Sequence, residues 1–432
     1  MILKVMFVGY FPQGYGLGSE RNSRPRRRFI ILRSEGRRMK LIYTPVEFRS
    51  RNYIILLIIL ACLSIIGFIF FVMSYIEGHH VFGISNRVPW GMSIVITIFL
   101  IGLSAGSLII SSLTYVFGKE EYRLISRIAV FLAIVLIFGA MVGISLDLGR
   151  PEKMWRLFMF FILNNMRSMF ALNGILYGGY FVISFFYLGS IFAERAGWTK
   201  KIGILAMIWA ALVHMGTGAI FGFIEARPIF FSPIKPFEFL VAAMASGLGL
   251  LIIVVVSAFH FASRPFKKEP LFSLGKLLLG FTITLFVFVS IDKLTHLYSP
   301  YREPTLWLLT GPFTWLFWIF QVGCGYFLPI LLLSHPRTRN TISGLMIASF
   351  SVVIGIFFER FNLVIPGTAH PMPFYPGKIE GMWGLTGSYT LTFIELLMCL
   401  GIFSMMGLFF ILGLRYLELL PFIEKRKNTE DK

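Results

Sequence analysis

The sequence predicts an all-α, polytopic membrane protein with ten transmembrane helices. Three observations lead there. Of 432 residues, 56% are hydrophobic and only 14% charged, the mean hydropathy is +0.78, and apolar runs recur from residue 53 to near residue 415. Soluble domains carry about 25% charged residues. Each run is long enough to cross about 30 Å of hydrocarbon, which takes roughly 17–25 helical residues.

The spans read as Tyr53–Tyr75, Trp90–Phe117, Ile128–Leu148, Phe170–Phe192, Ile202–Phe223, Phe237–Phe261, Leu274–Ile291, Leu306–Leu332, Ile342–Phe358 and Leu385–Leu412. The seventh and ninth are short, so nine spans is the alternative count. Span two carries Gly102, Ala105, Gly106 and Ser107, small residues that let helices approach closely in lipid. Span six repeats the pattern with Ala242, Ala243, Ala245, Ser246, Gly247 and Gly249, which hints at a repeated four-helix unit. Two four-helix bundles, residues 90–223 and 224–358, follow from that reading. Around them lie a basic segment 1–52, a peripheral helix with its loop 53–89, a loop and last helix 359–415, and a tail 416–432.

An even number of spans puts both termini on one side. The N-terminal segment, the even-to-odd loops with Lys276 beside them, and the C-terminal tail hold 29 of the 40 Lys and Arg residues, against 11 in the other loops. The positive-inside rule therefore places both termini in the cytoplasm, and the chain in the cytoplasmic (inner) membrane. The net charge of +19 invites a nucleic-acid reading, but twelve basic residues, "RPRRRF" among them, precede the first span, where a basic flank is expected anyway. No nucleic-acid partner is expected. The segment "MILKVMFVGYF" lacks the form of a signal peptide; Met39 offers a second start, and no argument rests on residues 1–38.

Cys62, Cys324 and Cys399 lie far apart in separate spans, a spacing that offers neither an iron–sulfur nor a zinc motif. A b-type haem needs two histidines at matched depth. Only His214 and His260 fall within spans, near opposite faces, so no haem is expected. If electrons pass, the clusters belong to a partner.

Ionisable residues at membrane depth are functional candidates by default. Asp147 ends span three, Glu225 and Arg227 follow span five, and Glu238 opens span six. Asp292 follows span seven, and Glu359 and Arg360 follow span nine. His214 and Glu395 lie about eight residues, or about 12 Å, from the outer ends of their helices. The inner half offers little beyond His260. Taken singly, Asp147, Asp292 and Glu359 also read as interfacial residues, and His214 as a packing residue. Glu395, in "SYTLTFIELLMCLGIF", must find a partner or stay protonated.

"NRVPWG", "GLSAG", "DLGRPEKMW", "VHMGTG", "FEFL" and "ERFNLVIPG", in this order and at these depths, resemble the ten-helix branch of the NrfD/polysulfide-reductase membrane-subunit family over about residues 53–415. The resemblance implies a quinone-reactive membrane subunit without redox cofactors of its own, with no haem, iron–sulfur cluster or metal. It implies electron exchange between menaquinol or ubiquinol and a periplasmic, ferredoxin-like iron–sulfur subunit joined to a catalytic subunit. The family's pocket lies near the outer face, where the polar residues were found. Shorter members carry a histidine after the tryptophan that opens the bundle; here Gly91 follows Trp90, and His79 and His80 are not at that position.

Quinol oxidation releases two protons, so acceptors must stand within hydrogen-bond reach. Asp147 is the first candidate, held ionised by Arg150 one turn on, with an interfacial salt bridge as the alternative reading of the pair. His214 is the second. Trp90 would wall the ring, Asn86, Glu238 and Arg360 would line or support the pocket, and Glu395 would carry protons. A secondary transporter, which would show midplane polar groups and broken helices, and a purely structural anchor are the competing classes. The spans show no paired Gly/Pro interruptions.

Overall fold

The computed structural model describes residues 30–34, 37–47, 50–156, 159, 167–266, 268–371 and 386–424. Among them ten helices are long and apolar enough to cross a membrane. They are α1 (Arg51–Glu77), α2 (Met92–Tyr115), α3 (Arg123–Asp147), α4 (Met169–Phe192), α5 (Ala196–Gly222), α6 (Lys235–Phe261), α7 (Glu269–Tyr298), α8 (Leu316–Ser334), α9 (Ile342–Ala369) and α10 (Phe393–Tyr416). The chain is an all-α, multi-pass integral membrane protein.

Residues 43–423 form one compact unit that holds every helix among the described residues. A second, small unit contains the hairpin of β1 (Ile30–Ser34) and the start of β2 (Arg37–Thr44), which pair antiparallel with Ile30 opposite Leu41 and Ser34 opposite Arg37. The motifs "MILKVMFVGYF" and "RPRRRF" lie outside the described residues.

α2 is the central helix: 94% of its apolar window is buried in protein, against 6% for α1. It packs on α3, α5, α6 and α9, while α6 packs on α2, α5, α7 and α9. α4 lies on α3 and α5, α8 on α9, and α1 pairs with α10, which also touches α3. The small residues of "GLSAG" and "ASGLG" make the central crossing. A Cβ on Gly106 would stand 2.8 Å from Gly247 Cα, so only glycine permits this approach of α2 to α6. Lipid tails are as apolar as the helix surfaces, so such close packing, rather than the hydrophobic effect, holds the bundle together.

Four helix boundaries differ most from the sequence reading, each for a physical reason. α7 and α9 run on to Tyr298 and Ala369, through Asp292 and through Glu359–Arg360. Those charges are paired inside the protein, so they need not end a helix. The eighth span is divided: Gly311 and Pro312 stop a short helix, Glu303–Thr310, before α8 begins at Leu316. α10 starts only at Phe393, where Thr392 accepts the Glu395 backbone N–H at 3.3 Å.

α8 is wound as a π-helix over Leu316–Phe327. Pro329 has no N–H for the Cys324 carbonyl five residues back, and Ser351 Oγ from α9 donates to that carbonyl at 2.5 Å instead. Pro366 stands inside α9. Gly311, Pro312, Pro329 and Pro366 thus interrupt helices of the second bundle.

The end of the membrane unit opposite the start of α1 is called the distal face; there α2 and α6 begin and α3, α5, α7 and α9 end. Most buried charge lies toward it. At the opposite end His260 is exposed, and the charge the sequence reading passed over is Arg127 of α3. Arg127 is 2% exposed, lies 3.8 Å over the Tyr43 ring and pairs with Glu194 at 3.4 Å and Glu418 at 3.8 Å.

Candidate functional site

α3 ends because Gly149, at φ +64°, takes the left-handed turn that closes a helix. The turn leaves Asp147 on the last helical position, where its Oδ1 accepts the Ser93 hydroxyl of α2 at 2.6 Å. Beside it lies the His79 ring. A Cβ on Gly149 would stand 3.3 Å from His79 Cε1 and Nε2, and that Nε2 is buried without a hydrogen bond. The expected partner, Arg150, is not there: beyond the left-handed turn it is exposed and forms no ion pair with Asp147. The Asp147–Arg150 pair is thus corrected to Asp147–Ser93, with His79 alongside.

Glu395 is likewise corrected. It sits in the first turn of α10, not eight residues deep, and reaches across to α2, where its Oε1 accepts the Met92 backbone N–H at 2.5 Å. That N–H also points to the Tyr389 hydroxyl at 3.0 Å. A carboxylate at a helix N-terminus satisfies an orphan donor and meets the positive end of the helix dipole. Burial and the Glu395 charge push the Tyr389 phenol above its usual range, so it stays a neutral hydroxyl. The arrangement also explains Gly91: a Cβ there would collide with Glu395 Oε1. Glu395 Oε2 is buried and makes no hydrogen bond.

Trp90 forms an aromatic wall. Its ring meets Phe221 edge-on at 5.7 Å and Phe170 at 6.2 Å. Phe221 stacks on Phe239 at 5.9 Å, and the Arg360 guanidinium lies 3.7 Å over Phe239. Asn86 is exposed in the loop before Trp90.

His214 is not part of the Asp147 group. It is buried on the seam between α5 and α2, with Nε2 3.3 Å from the Gly102 carbonyl and Nδ1 unpartnered. Gly102 is nine residues along α2 from Ser93, about 14 Å at 1.5 Å per residue. The structure does not bring the two proposed acceptors together.

Glu238 and Arg360 belong to a second, charged cluster at the start of α6. Lys235, 2% exposed, donates to Glu238 at 2.9 and 3.1 Å and to Asp292 at 2.8 Å; Lys293 reaches Asp292 at 3.0 Å. Glu359 Oε2 accepts the Tyr326 hydroxyl at 3.3 Å. Its Oε1 lies 3.2 Å from Arg360 Nη1, out of line for a hydrogen bond. Asn362 donates to Gln321 at 2.9 Å. Lys235, Glu238, Lys293, Gln321, Glu359 and Asn362 line a cavity of about 20 Å³, which has room for about one water molecule. It holds no ring.

Sequence reasoning missed His79, Ser93, Tyr389 and Lys235. Only Lys235, a lysine within three residues of Glu238, left a local signal; the rest meet their partners across helices. Among the described residues no three His, Cys, Asp or Glu side chains gather as a metal site.

Comparison with known proteins sets these groups in a family. The family model described as "Polysulphide reductase, NrfD" matches residues 80–371. The chain is 34% identical to an Hdr-like menaquinol oxidoreductase integral membrane subunit from Archaeoglobus fulgidus, over 85% of this chain and 93% of that one. It is 29% identical to the C subunit of the selenate reductase of Mesobacillus selenatarsenatis, over 72% and 82% of the two proteins. It is 24% identical to the C component of the polysulfide reductase of Wolinella succinogenes, over 65% and 95%. The matched segment begins at His80 and ends just beyond α9, so it takes in Trp90, Ser93, Asp147 and the charged cluster but leaves out His79, Tyr389 and Glu395. The chain belongs to the NrfD polysulphide reductase family of integral membrane subunits.

Proposed function

We propose that this chain is the quinone-reactive membrane subunit of a respiratory oxidoreductase complex, with menaquinol or menaquinone as its exchangeable substrate. The observation that carries the reading is the group at the distal end of α2: the Asp147 carboxylate on Ser93, the unpartnered His79 Nε2 beside it, and Trp90 with its aromatic neighbours. The relatives' names, a menaquinol oxidoreductase subunit among them, support the substrate class.

A bound quinol supplies the redox chemistry. The chain's residues position it and handle its protons. Trp90 and Phe170 give the ring an apolar face, Asp147 accepts a hydroxyl proton, and His79 Nε2 offers the second acceptor within the same group. This replaces His214 in the acceptor role. Electrons leave the distal face, taken as periplasmic, for a ferredoxin-like iron–sulfur subunit and its catalytic companion, and with them the proton goes to the same side. Arg150, exposed at that face, suits contact with the partner or the lipid headgroups. Glu395 holds α2 and acts on proton transfer only through the position of Ser93.

Reconstitution of the complex in liposomes with a menaquinol analogue and a water-soluble acceptor tests the reading. Quinol-dependent reduction that requires this chain supports it. Solute uptake without electron transfer points to a transporter, and normal reduction by the partners without this chain leaves it a structural anchor.

A further inference from the structure

The two polar groups are in register. Trp90 and Lys235, Ser93 and Glu238, Asp147 and Asp292, His214 and Glu359, and Thr217 and Asn362 are each 145 residues apart, and Tyr180 and Tyr326 are 146 apart. The members of each pair sit on corresponding helices: α2 or its threshold and α6, α3 and α7, α5 and α9, α4 and α8. The second bundle thus repeats the plan of the first with different chemistry. Where the first has a tryptophan ring, the second has an ammonium, and where a serine hydroxyl meets Asp147, a second carboxylate shares Lys235 with Asp292. Lys235 occupies the ring's place, and the space left admits about one water. A lining of charged side chains around such a space suits a water and its protons rather than an apolar ring.

The charges identify the proton's carrier. From α6 come Lys235 and Glu238, from α7 Asp292 and Lys293, and from α9 Glu359 and Arg360, with the neutral Tyr326 hydroxyl from α8. Three basic side chains thus face three acidic ones. His296 is the remaining titratable group, one turn from Asp292 on α7 and 7% exposed. Its Nδ1 lies 2.8 Å from the Asp292 carbonyl oxygen and its Nε2 3.1 Å from the Phe231 carbonyl oxygen. Carbonyl oxygens only accept, so the two contacts are satisfied together only when both ring nitrogens carry hydrogen. A second ring proton there comes on top of these three pairs. Asp292 Oδ1, 3.7 Å from Nδ1 and without a hydrogen bond, faces it.

We propose that the second bundle is a proton-binding site, with His296 carrying the exchangeable proton. When the ring loses a proton, the α7 carbonyl keeps one N–H and the bare Nε2 lone pair opposes the Phe231 oxygen. The contact that ties residues 224–234 to α7 is then lost. That segment carries Ile229, which lines the cavity, and Phe230, which packs on Phe221 at 5.4 Å. Proton occupancy is in this way coupled to the closure of the cavity and, through Phe221, to the Trp90 wall.

The test needs no quinone turnover, so it fails or succeeds apart from the quinone reading. The full chain, labelled with [15N]histidine and held in lipid nanodiscs, is titrated by 15N NMR while hydrogen exchange is followed at residues 228–232. The expected result is an imidazolium signal, absent from His296→Gln, that converts to the neutral form as pH rises. With it, exchange at residues 228–232 should step up beyond the intrinsic pH dependence. A neutral His296 ring at every pH at which the protein is folded, or exchange at 228–232 indifferent to its titration, overturns the proposal. If His296→Gln does not accumulate, the wild-type exchange profile decides alone: a step beyond the intrinsic dependence upholds the site, and its absence overturns it.

Discussion

Asp147 has two neighbours that exchange protons readily, the Ser93 hydroxyl and the His79 imidazole, and no cation within its turn. The acceptor role proposed for Asp147 therefore depends on α2 and on the loop before it, not on Arg150. His79→Gln should lower quinol-dependent turnover by about 10²-fold, the low end of the effect of a lost acid–base group. Arg150→Gln, at an exposed and unpaired position, should leave turnover in the reconstituted complex within about twofold, as surface substitutions usually do. Asp147 itself was legible from the sequence, as a carboxylate where an apolar run ends. Its partners were not, because Ser93 is 54 residues away and no periodicity links a hydroxyl at one helix start to a carboxylate at another helix end. The salt bridge read from the Asp147–Arg150 spacing assumed a helix continuing through Gly149, where φ is +64°.

At the scale of elements, two contacts hold the helix starts at the distal face. Glu395 caps α2 from α10, so Glu395→Ala should cost about 0.5–2 kcal/mol, the usual cost of a lost N-cap, and should speed amide exchange at Met92 and Ser93. Lys235→Met strands Glu238 and Asp292 without their shared cation. Removing one partner of a buried pair costs about 3–5 kcal/mol, seen as a lowered midpoint in detergent-solubilised thermal unfolding. The ten helices were legible because lipid demands long apolar runs. Their ends were less so: a hydropathy window stops at Asp292 and Glu359, whereas the helices continue because those charges are paired inside. The start of α10 did carry a signal, since Thr392 followed three residues later by Glu395 is the pattern of a capping box. The Cys324 carbonyl that Pro329 leaves without an N–H is met by the Ser351 hydroxyl of a different helix, and such a partner cannot be read from local sequence.

For the whole molecule, the polar groups of both bundles gather at one end while the opposite end holds chiefly Arg127, so the protein is built to do its chemistry near one membrane surface. From the excess of basic residues in the termini and even-to-odd loops we propose that this surface faces outside. A reporter fused after Lys432 should read cytoplasmic, and one in the loop between α9 and α10 should read periplasmic. The reverse result would put the Asp147 group on the cytoplasmic side. The fold and the side on which the polar residues cluster came through in the sequence, since both depend on where charges fall along apolar runs. The 145-residue register of its two groups is also present in the sequence, but which side chains meet within each group is not, because their partners come from different helices. The account rests on Asp147 taking a proton from a quinol, and the most direct measurement compares wild type with Asp147→Asn in the reconstituted complex at matched protein content. Because the amide keeps the shape of the carboxylate and can still accept the Ser93 hydroxyl, the complex should assemble normally while quinol-dependent turnover falls by about 10²–10⁴-fold. An Asp147→Asn complex that assembles fully and turns over at the wild-type rate would contradict it.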